Sequence, residues 1–452
     1  MESVIRFIDK KHDNYLNELR DFLKIQSISS DSTKNGETRR CAEWVASNLK
    51  SSGVENIQIL ETGGHPVVYG DYLHAADKPT VLIYGHYDVQ PVDPIEAWGT
   101  KPFEPVIKGG NIYARGAADD KGKLFAFIKG VEAWLAVRKA LPINVKFFIE
   151  GEEECGSTHT DSFLEEHKKL LAADAVALSD TAWFAEGFPC IQTALRGLCY
   201  MEITVKGPDH DLHSGSFGGI VANPLNVLGH IIAGLQDEDG KILIPGFYDD
   251  VLKPTDEELE GFKKLPYNDA EMKRCAGVSS IWGESEFTPL ERIWIRPTLD
   301  VNGLIGGYTG EGSKTVITTR GTAKISMRLV ADQNPVKIAK QFEQYVKKMA
   351  PKGIELEAKK LTSAYPVHFP ASSKFVQGAS RAMEQAFGKK PTFIREAFSI
   401  PITYSFLKIL NAPSVLIALG HPDDNLHGPN EKFSLEHFFG GIKMAAYFLN
   451  EF

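Results

Sequence analysis

Short apolar runs bounded by polar turns alternate with helical stripes along the first 190 or so residues. TVLIYGHYD (80–88) reads as a buried strand ending in polar residues, INVKFFIEGEEE (143–154) as a second ending in charge, and AVALSD (175–180) as a third. DDKGKLFAFIKGVEAWLAVRK (119–139) places Leu124, Phe127, Ile128, Val131, Trp134 and Leu135 on one helical face. At the N-terminus Val4, Phe7, Ile8, Tyr15, Leu16 and Leu19 fall close to helical spacing and predict an amphipathic helix. Strands alternating with helices predict an α/β layer with a largely parallel sheet, in which functional groups collect past the carboxyl ends of the strands.

The texture changes after about residue 190. LCYMEITVKG (198–207) and TAKISMRLV (322–330) alternate with the two-residue period of a half-exposed antiparallel sheet. ANPLNVLGHIIAGLQ (222–236) and PVKIAKQFEQYVKKMA (335–350) read as amphipathic helices, and 237–297 as a charged, irregular stretch broken by prolines and glycines. PSVLIALG (413–420) and LEHFFGGIKMAAYFL (435–449) return to a buried strand and a closing helix. The expectation is a discontinuous α/β domain over 1–189 and 366–452, with an α+β domain inserted at 190–365. A chain of 452 residues exceeds what one ordinary core serves, which agrees with two domains.

Composition narrows the function classes. With 43% hydrophobic and 24% charged residues the chain is of the soluble globular type, and its net charge of −9 weighs against nucleic acid as a partner. No apolar run approaches the roughly 18–20 residues of a membrane helix. The first residues, MESVIRFIDKKHDNYLNELRDFL, hold no apolar signal segment. Five scattered cysteines without a CxxC pair predict a reducing, cytoplasmic setting and neither a disulfide framework nor a thiolate zinc site.

The candidate chemistry sits at the predicted strand ends. In GHYDVQP (85–91), His86 and Asp88 leave a strand on the same side, a pairing in which a carboxylate can fix the tautomer of a metal-bound imidazole. RGAADDKG (115–122) sets Asp119 and Asp120 ahead of a helix, where one can cap while the other binds. IEGEEECGS (149–157) crowds four glutamates whose repulsion calls for a cation. Asp180 closes a strand, and GHPDDNLHGPNEK (420–432) offers His421 and His427. Each signal alone is weak, and a turn, a cap or a solvated loop would explain it. Together they supply imidazoles and carboxylates for two divalent metals, one carboxylate bridging.

With those residues in view, the chain resembles the cytosolic dipeptidases of the carnosinase and Cys-Gly dipeptidase type. These stand within a wider co-catalytic metallopeptidase family that includes aminoacylases, acetylornithine deacetylase and succinyl-diaminopimelate desuccinylase. GHYDVQP, YARGAADDKG, GEEECGS, ALRGLCY, DLHSG (211–215), ISMRLV, SIPIT and HGPNE match the family series in order. The resemblance implies that His86 and Asp180 hold one metal, Glu154 and His427 the other, and that Asp119 bridges them. It makes Glu153 the general base and Asp88 the residue that orients His86. It implies substrate-binding roles for Thr315, Arg328 and Ser399, and for His213, which in dimeric relatives reaches the partner's active site. The inserted domain becomes a lid and dimerisation domain. Two metal ions per subunit are implied, zinc foremost, with manganese or cobalt as alternatives. The implied activity is hydrolysis of dipeptides or very short peptides by a homodimer. The rival readings are an N-acyl-amino-acid deacylase and a non-catalytic homologue. One departure stands out: EAFSIP (396–401) occupies the place of the family's EGGSIP.

Overall fold

A computed structural model describes all 452 residues and divides the chain into two compact units. The first comprises Met1–Thr193, Phe369–Ile394 and Ile402–Phe452, and the second Ala194–His368 with Arg395–Pro401.

The strands of the first unit run in the order Glu55–Leu60, Val67–Tyr72, Asn144–Glu150, Thr80–His86, Ala175–Leu178 and Ser414–Ile417, followed by Cys190–Leu195, whose last two residues are counted with the second unit. The middle four are parallel to their neighbours, and the outer pairings are antiparallel. This is the mixed, largely parallel sheet that the apolar runs predicted. Parallel strands are covered on both faces, which is why Val81–Tyr84, Val145–Ile149 and Ala175–Leu178 are buried without alternation. The helix Lys121–Arg138 has no polar side over most of its length and packs beside the helix Leu435–Leu449. Their approach is close enough that a Cβ at Gly130 would stand 2.7 Å from the Ala445 methyl. At the N-terminus the expected single helix is broken at Lys11 into Glu2–Lys10 and His12–Leu23.

The second unit is a four-stranded antiparallel sheet in the order Thr298–Gly306, Arg320–Leu329, Gly197–Lys206 and Glu355–Ala364. Met201, Ile203, Val205, Ile325 and Met327 alternate inward against Leu228 and Ile231 of the helix Pro224–Ala233 and against Ile338 and Phe342 of the helix Pro335–Met349. Residues 237–297, expected to be irregular, contain three helices, Asp256–Lys263, Asp269–Ala276 and Pro289–Trp294. Thr255 and Thr288 close capping boxes with Glu258 and Glu291, and Asn268 caps the middle helix. No helix is long and apolar enough to cross a membrane.

One packing contact titrates. His437 is buried between Trp183 and His421, with ring centroids 4.0 and 3.9 Å away, and its Nδ1–H donates to the Leu419 carbonyl at 2.7 Å. Burial, reinforced by His421, lowers its pKa to about 4. The unfolded chain therefore binds a proton between about pH 6.5 and 4 that the folded chain refuses, and stability falls as the pH drops through that window. His437→Asn keeps a donor near the Nδ1 position and removes the titration. Urea unfolding at about pH 7.5 and 5 should show the acid loss shrinking by on the order of 1–2 kcal/mol in the variant.

Candidate metal centre

All four parallel strands of the first unit point their carboxyl ends to one edge of the sheet. Thr80–His86 ends on His86, which stands in register beside Glu150, the last residue of its neighbour. Beyond Glu150 the chain turns through the short helix Glu153–Cys155, Leu178 leads to Asp180, and Ile417 leads into the loop that carries His427. Asp119 comes from the other direction, on the loop before the helix Lys121–Arg138.

Two ligand sets result. His86, Asp119 and Asp180 form one and Asp119, Glu154 and His427 the other, each with its donor atoms within 4.8 Å of one another. Asp119 belongs to both: Oδ1 lies 3.3 Å from His86 Nε2 and Oδ2 lies 2.9 Å from His427 Nε2. His427 Nε2 is also 3.3 Å from Glu154 Oε2. His86 Nε2 is buried without a hydrogen-bond partner, so a ligating nitrogen is turned into the cluster rather than satisfied by the fold. The donors are imidazole and carboxylate without thiolate, a set that fits zinc, manganese or cobalt.

The neighbouring groups hold these donors in place. His86 Nδ1 faces the Asp88 carbonyl oxygen at 3.1 Å and Asp88 Oδ1 at 3.4 Å, so the backbone of Asp88 is the nearer acceptor. Asp88 Oδ2 accepts from the Glu154 N–H at 3.0 Å, and the Gln90 amide donates to Glu154 Oε2 at 2.8 Å. Asp120 stands at the N-cap of its helix without a side-chain cap; its Oδ2 accepts from the His86 N–H at 3.3 Å instead. His427 sits in the left-handed region at φ 62°, an uncommon place for a non-glycine residue that turns its ring toward Asp119.

Electrostatics follow the crowding. Burial, with Asp180, Glu154 and Asp119 around it, pushes the Glu153 carboxyl up to about 9, and His86 pulls it the other way. Burial and Asp180 likewise raise Asp120 to about 8. Direct contacts with Asp119 and Glu154 raise His427 to about 10. Burial works against the charge on His86, but Asp119 and Asp88 outweigh it and hold the imidazole well above its ordinary value. The site is built for cations.

The acidic stretch divides its work. Glu150 accepts from Tyr84 at 2.7 Å, Ser157 at 2.9 Å and Thr160 at 3.0 Å, and Glu152 faces His159 Nδ1 at 3.0 Å. These two tie the turn down while Glu153 and Glu154 join the cluster. The two-residue parity of an extended strand stops at Glu150, because the short helix takes over at Glu153.

The other candidates lie in the second unit. His213 follows Leu212 in a short strand paired with Val316–Ile317, next to Thr315, whose carbonyl accepts the Ser214 N–H at 3.1 Å. Arg328 sits on the polar face of the central sheet, opposite Leu198 and Thr298. Ser399 donates through Oγ to the Arg196 carbonyl.

Sequence reasoning missed the clamp that fixes Asp119. Glu431, fully buried, accepts from Arg115 Nη1, Gly116 N and Ala118 N at 2.8 Å each and from Asp119 N at 3.0 Å. Arg115 Nη2 reaches the Pro91 carbonyl at 3.0 Å and the His427 carbonyl at 3.2 Å. One ion pair thus joins the loops that follow His86, precede Asp119 and carry His427. Nothing in the residue types of RGAADD or HGPNEK marks that partnership.

A largely parallel α/β sheet that delivers two imidazole–carboxylate sets sharing one aspartate defines a metallohydrolase type of protein. Residues 82–451 match the model of peptidase family M20/M25/M40, and the chain belongs to that family. It is 33% identical to a Cys-Gly metallodipeptidase of Schizosaccharomyces pombe, over 100% of this chain and 98% of that protein. Among solved structures it resembles human carnosine dipeptidase 1, with a TM-score of 0.78, 32% identity and coverage of 100% of this chain and 98% of the other. It also resembles an M20 family metallo-carboxypeptidase of Sulfolobus solfataricus, with a TM-score of 0.81, 35% identity and coverage of 96% and 98%. The resemblance read from the motifs is borne out.

Breaking the clamp from one side leaves a buried charge without its partner. Arg115→Met should therefore destabilise the chain by roughly 3–5 kcal/mol in urea unfolding.

Proposed function

We propose that this chain is a dipeptidase that hydrolyses the peptide bond of dipeptides or very short peptides with two divalent metal ions bound. The observation that carries the reading is the position of Asp119, one oxygen toward His86 and the other toward His427. His86, Asp119 and Asp180 would hold one ion and Asp119, Glu154 and His427 the second, with zinc the expected metal and manganese or cobalt suited to the same donors. Ions held there would supply Lewis acidity, lowering the pKa of a bound water and polarising the scissile carbonyl.

The chain's own residues do the rest. Glu153 takes a proton from the attacking water and returns it to the amine nitrogen that leaves. Its raised pKa reflects burial among carboxylates, and divalent cations in the cluster would bring it back toward a working base. Asp88 keeps the proton of His86 on Nδ1 and so leaves Nε2 free to ligate. Arg328, by its planar fork, would take the terminal carboxylate of the substrate, with Ser399, Thr315 and His213 as further contacts. Short peptides with a free carboxylate are then favoured. The dipeptidase names of the relatives support this choice, and the carboxypeptidase name of one structural relative supports a second reading, in which Arg328 takes the C-terminus of longer peptides.

We place the protein in a homodimer, with His213 serving the partner's site. The edge strand Thr298–Gly306 of the second unit, with Leu304 62% and Ile305 67% exposed, supports pairing of like surfaces. The five free cysteines support a reducing compartment, and the cytoplasm is the proposed location.

Glu153→Gln should retain its metal by elemental analysis and lose roughly 10²–10⁴-fold in kcat on a dipeptide panel. Normal turnover in that variant removes Glu153 from the role of base. Run beside the dipeptides, tripeptides and longer chains test the carboxypeptidase reading, and N-acetyl and N-succinyl amino acids the deacylase one.

A further inference from the structure

Lys123 stands on the first turn of the helix Lys121–Arg138, three residues past Asp120, and has no exposed surface. Its Nζ lies 3.1 Å from Asp180 Oδ1, and that carboxylate is the group it donates to. Asp120, Asp119 and Asp424 also act on it electrostatically, and buried oxygens of Asp120 and Asp424 lack hydrogen-bond partners. A dry ammonium has therefore been placed against one member of the His86–Asp119–Asp180 set.

We infer that Lys123 is a built-in counter-cation for that set: it orders Asp180 when no metal is bound and makes this set the weaker of the two metal positions. The inference rests on the two-metal reading above. Three physical points carry it. The ammonium occupies one Asp180 oxygen, leaving the other for a metal. Its fixed positive charge repels a divalent ion arriving a few ångströms away, in a buried setting where water screens little. The second set carries no such charge on its side chains. Glu154 Oε2 is met by the neutral Gln90 amide, and the nearby Arg115 is already paired with Glu431 at 2.8 Å. Asp119 is common to both sets and cannot distinguish them.

The consequence is functional. One ion stays bound at low metal concentration while the other, at His86–Asp119–Asp180, comes and goes, so hydrolysis tracks the free metal concentration. Lys123 keeps the emptied position from flying apart, since Asp180 retains a partner. It is a positioning residue for the metal and not a catalytic one.

The test uses the full chain, stripped of metal and titrated with zinc under chelator competition, with calorimetry and thermal melting as readouts. Wild type should take up two ions in steps separated by at least roughly tenfold in affinity. His86→Ala should abolish the weaker step, and His427→Ala the tighter. Lys123→Met should tighten the weaker step by roughly tenfold or more and leave the tighter one within about threefold. Its metal-free form should melt lower than wild type, and saturating zinc should raise it by more than it raises wild type. Lys123→Gln, which keeps a hydrogen bond and drops the charge, should tighten the weaker step in the same direction. Two ions bound by wild type with one shared affinity, or variants that bind both as wild type does, overturn the inference and leave the two-metal reading standing. Failure of both variants to fold even in saturating zinc assigns Lys123 to the core and overturns it too. A wild-type chain that takes up no metal defeats the two-metal reading itself.

Discussion

Carboxylates removed from water at one sheet edge repel one another, and the first unit is arranged around that repulsion. Asp119, Asp120, Glu153, Glu154 and Asp180 gather where the parallel strands end, and the loop side adds Glu431 and Asp424. Left uncompensated, such a cluster would either take up protons or come apart. The fold answers with a different device at each place. Lys123 faces Asp180, Arg115 faces Glu431, and backbone N–H groups of the 116–119 loop converge on the same Glu431. Hydroxyls of Tyr84, Ser157 and Thr160 satisfy Glu150. What these devices leave over is the pair of imidazole–carboxylate sets, whose remaining charge metal ions would meet.

This explains why the ligands come from loops that are far apart in sequence yet rigid. A parallel sheet brings four strand ends into one row, but strand ends alone fix position only to the length of the loops beyond them. The Arg115–Glu431 pair shortens that freedom. It binds Pro91, the 115–119 loop and the His427 backbone to one buried point, so the two faces of Asp119 are set by the same contact that sets His427. Asp88 does the equivalent on the other side by holding both His86 and the Glu154 N–H. Position and charge compensation are achieved by the same residues.

Much of this was legible in the sequence. The parallel strands showed as unbroken apolar runs because both their faces are buried, and the antiparallel sheet of the second unit showed as alternation because only one of its faces is. The family resemblance, rather than residue spacing, singles out His86, Asp119, Glu154, Asp180 and His427, and they fall into the two ligand sets. What escaped has physical reasons. Helices of six to eight residues, such as Pro289–Trp294 and Asp256–Lys263, are too short for a stripe to register, and only the capping pairs at Thr255–Glu258 and Thr288–Glu291 would have signalled them. Glu431 and Lys123 escaped because a charged residue looks the same on a surface and in a core. Their partners are 316 and 57 positions away, and only folding brings the two together.

The departure at Ala397 and Phe398 can be placed on the same footing. Glycines in such a loop are required when the backbone enters the left-handed region or when another group approaches too closely for a Cβ. Neither Ala397 nor Phe398 has a positive φ. The segment instead runs beside Ala194–Arg196: the Glu396 N–H donates to the Ala194 carbonyl at 2.9 Å, and the Arg196 N–H donates to the Phe398 carbonyl at 3.0 Å. Ser399 closes the run by donating to the Arg196 carbonyl. This backbone holds side chains at both positions without entering the left-handed region. What changes is the surface beside it, since Phe398 leaves 43% of its area exposed. Phe398 thus adds exposed apolar area beside Ser399 within the second unit. The exchange therefore alters the surface beside Ser399 and leaves the residues of the two ligand sets as they are.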